Sequence, residues 1–194
     1  MNYLMLIIGA VFVNNFILVQ FLGICPFLGV SKKTESAFGM GVAVTFVMTL
    51  TAAITYPLYM WVLKPLSLEF MTTIVFIFVI ASLVQMVEMV IKKISPSLYS
   101  ALGVYLPLIT TNCAILGVAT LLIEGEIKGI LITNLFEAVS YAFFAGIGFL
   151  LAIVLMSGLR EKLDRRHVPQ AMKGFPMTLI TACLMAMAFS FFSF

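Results

Sequence analysis

Cys25-Pro26-Phe27-Leu28-Gly29-Val30 and, 88 residues further on, Cys113-Ala114-Ile115-Leu116-Gly117-Val118 share the pattern C-x-x-L-G-V. Each stands in a long uncharged apolar run beside residues that interrupt helices. Gly23 and Pro26 bracket Cys25, and Pro107 precedes the polar run Thr110-Thr111-Asn112 that leads into Cys113. Laying one stretch over the other without gaps also pairs Leu18 with Leu106, Gly41 with Gly129 and Thr45 with Thr133. The match predicts a duplicated unit, with one copy over about residues 1–93 and the other over about 94–194.

Beyond these motifs, 63% of the residues are hydrophobic and only 10% are charged, with a mean hydropathy of +1.19. That balance excludes a soluble domain with a polar surface. A helix needs about 20 mostly apolar residues to span a bilayer. Charge-free windows of that order run over 1–31, 36–63, 70–87, 94–123, 138–159 and 174–194. The expected fold is therefore an all-α integral membrane protein, a single membrane domain over 1–194 with six transmembrane helices. Three spans per copy make the second copy enter from the opposite face, so the repeat is inverted. Windows one and four are long for a single crossing and carry the helix breakers, so spans one and four are expected to be broken into half-helices. Unwound backbone is costly in lipid, so such breaks belong inside protein or along a cavity.

The gaps after windows one, three and five hold Lys32, Lys33, Lys92, Lys93, Arg160, Lys162, Arg165, Arg166 and Lys173, while the other side holds Lys64 and Lys128. Excess Lys and Arg mark the cytoplasmic face, so both termini are expected on the outer side. The segment Arg160–His167 reads as a topology signal next to anionic lipid, with no nucleic acid partner. No Lys or Arg precedes the first apolar stretch and no cleavage site follows it, so the first helix is expected to stay.

All three cysteines, Cys25, Cys113 and Cys183, fall in apolar windows. Cys183 reads as a small core hydrophobe. For Cys25 and Cys113 the alternatives are core thiols, a disulfide, or ligands of a metal or iron–sulfur centre. Two thiolates do not complete a four-ligand site, and the only histidine, His167, is in a basic loop. A metal centre here therefore needs a second polypeptide.

The segments Asn14–Lys33 and Tyr105–Ala114 resemble the A subunit of the Rnf electron-transport complex, in a family shared with its E subunit and with two subunits of the sodium-pumping NADH:quinone oxidoreductase. The resemblance implies a bacterial cytoplasmic-membrane complex moving electrons between ferredoxin and NAD, coupled to Na+ or H+ movement. It implies that Cys25 and Cys113 hold half of a [2Fe–2S] cluster shared with a homologous subunit of E type, beside further subunits of types B, C, D and G. The residues themselves leave open a small inverted-repeat secondary transporter, which needs broken helices but not matched thiols.

Other positions carry weaker signals. Glu137, near the start of the fifth window, is an intramembrane carboxylate and so a functional candidate, although the window is long enough to leave it at the interface. Asn14, Asn15 and Gln20 are amides expected to bond between helices or to cap the unwound stretch. Gly39-Met40-Gly41 is a bare G-x-G in an apolar helix, so no flavin or NAD is expected on this chain alone.

Overall fold

The computed structural model describes residues 9–13, 15–31, 33–65, 69–94, 106–124, 126, 127, 130, 131, 134–165 and 174–191. Asn14, His167 and the basic residues Lys32, Arg166 and Lys173 lie outside the described residues. At the centre, α2 (Thr34–Leu58), prolonged by a π-type turn Tyr59–Leu63, packs antiparallel along α6 (Leu135–Asp164). Two glycines permit the approach. A Cβ at Gly41 would lie 2.6 Å from Leu150 Cδ1, and one at Gly146 would lie 2.8 Å from the Cα of Thr45. Small residues let helix backbones close on each other where no water drives them together. At the far end of the same seam, Ser157 Oγ donates to Thr34 Oγ1 at 3.3 Å. The register is thus 34 beside 157, 41 beside 150 and 45 beside 146. Met40, Val44, Met48, Ala145, Phe149 and Ile153 fill it, all buried.

The hydroxyls of α2 show how an apolar helix carries threonine. Thr45, Thr49 and Thr55 each donate back to the carbonyl one turn earlier, at 2.8, 2.8 and 2.7 Å. Each bond satisfies a group that lipid or core would leave unpaired. The helix tolerates Pro57 close to its end, and the π-type turn follows, closed by Lys64 N–H donating to Tyr59 O. Proline withholds one donor, and a wider turn beyond it is a usual accommodation.

Around this pair stand α3 (Thr72–Ile94), α4 (Leu106–Thr110), α5 (Cys113–Glu124) and α7 (Phe175–Ser190). In α3 the buried residues are Phe76, Ile80 and Val84, one stripe at helical spacing, while Phe70, Ile74 and Phe78 near its start are exposed. In α7, Thr178, Thr181 and Met185 face inward while Leu184 and Met187 are exposed. Apolar surface this extensive belongs in a membrane or under a partner.

Thr34–Leu63, Thr72–Val90 and Leu135–Leu163 are long and apolar enough to cross a bilayer, and they answer the second, third and fifth windows. Pro107–Ile123 and Phe175–Ser190 are shorter apolar helical stretches in the fourth and sixth. The first window holds a π-type segment, Gly9–Val13, and α1 (Ile24–Val30) with turns between. The helical fold expected from composition has one departure among the described residues. Glu126–Ile127 (β1) and Ile130–Leu131 (β2) pair antiparallel, Glu126 with Leu131 and Ile127 with Ile130.

Helix, interruption and helix thus occur twice, but the prolines are not where the chain unwinds. Pro26 occupies the third residue of α1 and Pro107 the second of α4. Amides of a first helical turn have no intrahelical partner, so proline costs no bond there. The first interruption turns instead on Phe21, at φ 56°, and Gly23, at φ 82°. The second is centred on Asn112, between α4 and α5.

Candidate functional site

The two interruptions press against each other. A Cβ at Gly23 would lie 3.0 Å from Ala114 Cβ, 3.0 Å from Phe149 and 3.2 Å from Asn112 Oδ1. A Cβ at Gly117 would lie 2.6 Å from Leu22 Cδ1. At this contact the Gly23 N–H donates to Cys113 Sγ at 2.9 Å. Gly23 is two residues from Cys25, so their Cα atoms are within about 7 Å. The structure therefore brings Cys113 to the turn that presents Cys25. Cys113 is half-buried and Cys25 exposed, and both thiols are free of disulfides.

Both interruptions are held by asparagine. The Asn15 Nδ2 donates to Gly148 O at 3.0 Å, across to α6, and to Val11 O at 3.4 Å. Its Oδ1 accepts from the amides of Ile17 and Leu18. One buried amide therefore bonds between segments and also caps the unwound stretch, combining the two roles expected of these side chains. Asn112 Oδ1 accepts from Ala114 N–H at 3.1 Å, capping α5. Its Nδ2 is buried and has no hydrogen-bond partner among the described residues. Beside it opens a pocket of about 350 Å³, lined by Ile77, Ile80, Thr111, Asn112 and Cys113 among others.

Sulfur accepting a backbone amide is the environment that holds a thiolate ligand and tunes a metal–sulfur centre. Among the described residues no group of three or more His, Cys, Asp or Glu stands together. Cys183, expected in the core, is instead exposed and lines a separate recess with Leu18, Val19 and Phe21. The donor set at the paired breaks is thus two thiols, one of them amide-bonded, which fits half of a four-thiolate cluster.

Two further sites emerge that the sequence signals weakly or not at all. Arg160 Nη1 donates to Leu28 O at 3.0 Å and to Ser31 Oγ at 3.1 Å, closing the end of α1, the helix that carries Cys25. Its position in a basic cluster conceals this second use. Glu137 is in the first turn of α6 and is buried, 8% exposed. Thr51 and Tyr56 on α2 are buried as well and carry no motif.

A family model described as "Rnf-Nqr subunit, membrane protein" matches residues 3–194. The chain is 58% identical over 193 residues to the A subunit of the Na(+)-translocating ferredoxin:NAD(+) oxidoreductase complex of Acetobacterium woodii, covering 100% of this chain and 97% of that one. It is 53% identical over 192 residues to the A subunit of the ion-translocating oxidoreductase complex of Syntrophotalea carbinolica, covering 99% and 96%. To the protein of the same name from Vibrio cholerae it is 50% identical, again over 99% and 96%. These relatives agree with the resemblance carried by the two cysteine segments. With a match over nearly its whole length and apolar helices exposed on their outer faces, the chain belongs to the Rnf-Nqr family of membrane subunits.

Proposed function

We propose that this chain is the electron-carrying membrane subunit of an ion-translocating ferredoxin:NAD oxidoreductase, with Cys25 and Cys113 as two of the four thiolates around a [2Fe–2S] cluster. The other two come from a homologous six-span partner of E type, and the complex includes further subunits of types B, C, D and G. The observation that carries the reading is the bond from Gly23 N–H to Cys113 Sγ at the contact between the two breaks. A core thiol needs no amide there; a ligand sulfur gains charge stabilisation from it. A secondary transporter would use the same breaks without this sulfur environment.

When bound, the cluster supplies a one-electron relay inside a layer about 30 Å thick. The chain's own residues hold the two breaks in contact, aim an amide at sulfur and keep the surroundings apolar through Phe149, Ile80 and Leu116. In this reading the six windows form two inverted repeats, about 1–93 and 94–194, with both termini on the outer side of the cytoplasmic membrane. The chain binds no flavin or NAD by itself.

The test is iron stoichiometry. Purified alone, the chain should carry no stoichiometric iron; co-expressed with its homologous partner, the pair should carry two iron atoms. A full [2Fe–2S] spectrum on the isolated monomer would contradict ligand sharing.

A further inference from the structure

Two asparagines hold the two breaks, and only one of them uses both ends of its amide. Asn15 donates to Val11 O and Gly148 O and accepts from the amides of Ile17 and Leu18. Asn112 accepts from Ala114 N–H through Oδ1 at 3.1 Å, whereas its Nδ2 has no partner among the described residues, on a residue only 4% exposed. Turning the amide round would not relieve this, since Nδ2 would then face the Ala114 N–H and two donors would meet. A buried donor without an acceptor has lost its hydration and gained nothing in return. An acceptor supplied by whatever the site holds would offset that loss.

The surroundings of the amide narrow the choice of acceptor. Asn112 and Cys113 line the same pocket, whose walls include Ile77, Ile80, Ala81 and Leu116, none with a polar side-chain atom. Thr111, also on the wall, donates its hydroxyl to Pro107 O. The Asn112 amide and the Cys113 sulfur also meet at one glycine. A Cβ at Gly23 would lie 3.2 Å from Asn112 Oδ1, and the Gly23 N–H donates to Cys113 Sγ at 2.9 Å.

We propose that Asn112 tunes the iron–sulfur centre, its free Nδ2–H being a second hydrogen-bond donor, beside the Gly23 amide, to the sulfur of the centre held at Cys113. The inference rests on the proposed [2Fe–2S] reading and deepens it. One-electron reduction adds negative charge that the sulfurs share, and an N–H donor there favours the more negative state, so Asn112 raises the midpoint potential. Because its Oδ1 caps α5, the helix that begins at Cys113, donor and ligand are fixed to one another.

The experiment uses the intact complex. Asn112→Ser and Asn112→Thr keep an oxygen for the cap and remove Nδ2. In a potentiometric titration followed by paramagnetic resonance, both variants should be harder to reduce by about tenfold in the equilibrium, about 59 mV for one electron. With asparagine enriched in the heavy nitrogen isotope at Nδ2, pulsed paramagnetic resonance of the reduced native complex should show a nitrogen hyperfine coupling that Asn112→Ser lacks. A cap alone would give neither result. Where the variants do not assemble, the coupling in the native complex decides. An unchanged potential in both variants, a coupling that persists in Asn112→Ser, or no asparagine coupling in a native complex with its [2Fe–2S] signal would overturn the donor role and leave the cluster reading standing; Nδ2 would then serve a lipid or partner carbonyl. Absence of the [2Fe–2S] signal from the native complex would overturn both.

Discussion

Gly23 makes two demands on one position. Its φ of 82° is in the left-handed region, and any Cβ would meet Ala114, Phe149 and Asn112 within 3.2 Å. The left-handed conformation costs an L-residue about 1–2 kcal/mol, and overpacking adds about as much again. Gly23→Ala is expected to lose about 2–4 kcal/mol in detergent unfolding of the complex and to disturb the amide on Cys113 Sγ. Gly29→Ala, where added bulk meets nothing, serves as the control and should be near neutral. Asn15→Leu would leave Gly148 O and the amides of Ile17 and Leu18 without their partner, at about 1–3 kcal/mol for each buried group left unsatisfied. The same unfolding measurement checks it. The cysteines are legible in the sequence because a matched motif in apolar surroundings is visible in one dimension. The partner of Cys113 is not, because the donor is a backbone amide and every residue but proline has one.

Among the elements, the pattern of basic residues conceals a mechanical part. Arg160 ties α6 to the end of α1 through Leu28 O and Ser31 Oγ, and Thr34 Oγ1 donates to Glu161 Oε2 at 3.1 Å alongside. A charge-assisted bond is worth about 1.5–3 kcal/mol. Arg160→Gln is expected to loosen α1, raising amide hydrogen exchange over 27–31 several-fold while leaving α2 unchanged. Equal exchange in both proteins would show that the guanidinium does not hold the helix. The α2–α6 seam makes a second demand: Gly146→Leu has no room against Thr45 Cα and should separate the helices, reducing the yield of assembled complex. Helices can be located from apolar windows, since length and charge decide what crosses a bilayer. The sites of unwinding cannot, because proline reads as a breaker whereas Pro26 and Pro107 both start helices. Position within the turn decides which role proline takes, and that position depends on where the preceding residues leave the helix.

Across the full chain, the exposed aromatic and aliphatic faces of α3 and α7 need lipid or a partner protein, and the exposed Cys25 needs the same partner in the proposed reading. Nine basic residues against two predict outer termini. An alkaline phosphatase fused after Phe194 should be active and a fluorescent protein there dark; the opposite pattern would overturn the orientation. Six crossings and their inversion are expected from repeat arithmetic; the described residues hold three helices long and apolar enough to cross a bilayer and two shorter apolar stretches.

Everything proposed for electron transfer depends on Cys25 and Cys113 being ligands while Cys183 is not. The decisive measurement is paramagnetic resonance of the reduced complex in membranes carrying Cys25→Ser, Cys113→Ser or Cys183→Ser. A serine oxygen is a poor substitute for a soft thiolate on iron. The first two variants are expected to assemble yet lose or strongly shift one [2Fe–2S] signal, with ferredoxin-driven NAD reduction falling alongside, and Cys183→Ser is expected to keep both. An unchanged spectrum in Cys25→Ser and Cys113→Ser, with wild-type activity, would refute the ligand assignment and leave the paired C-x-x-L-G-V segments as packing alone.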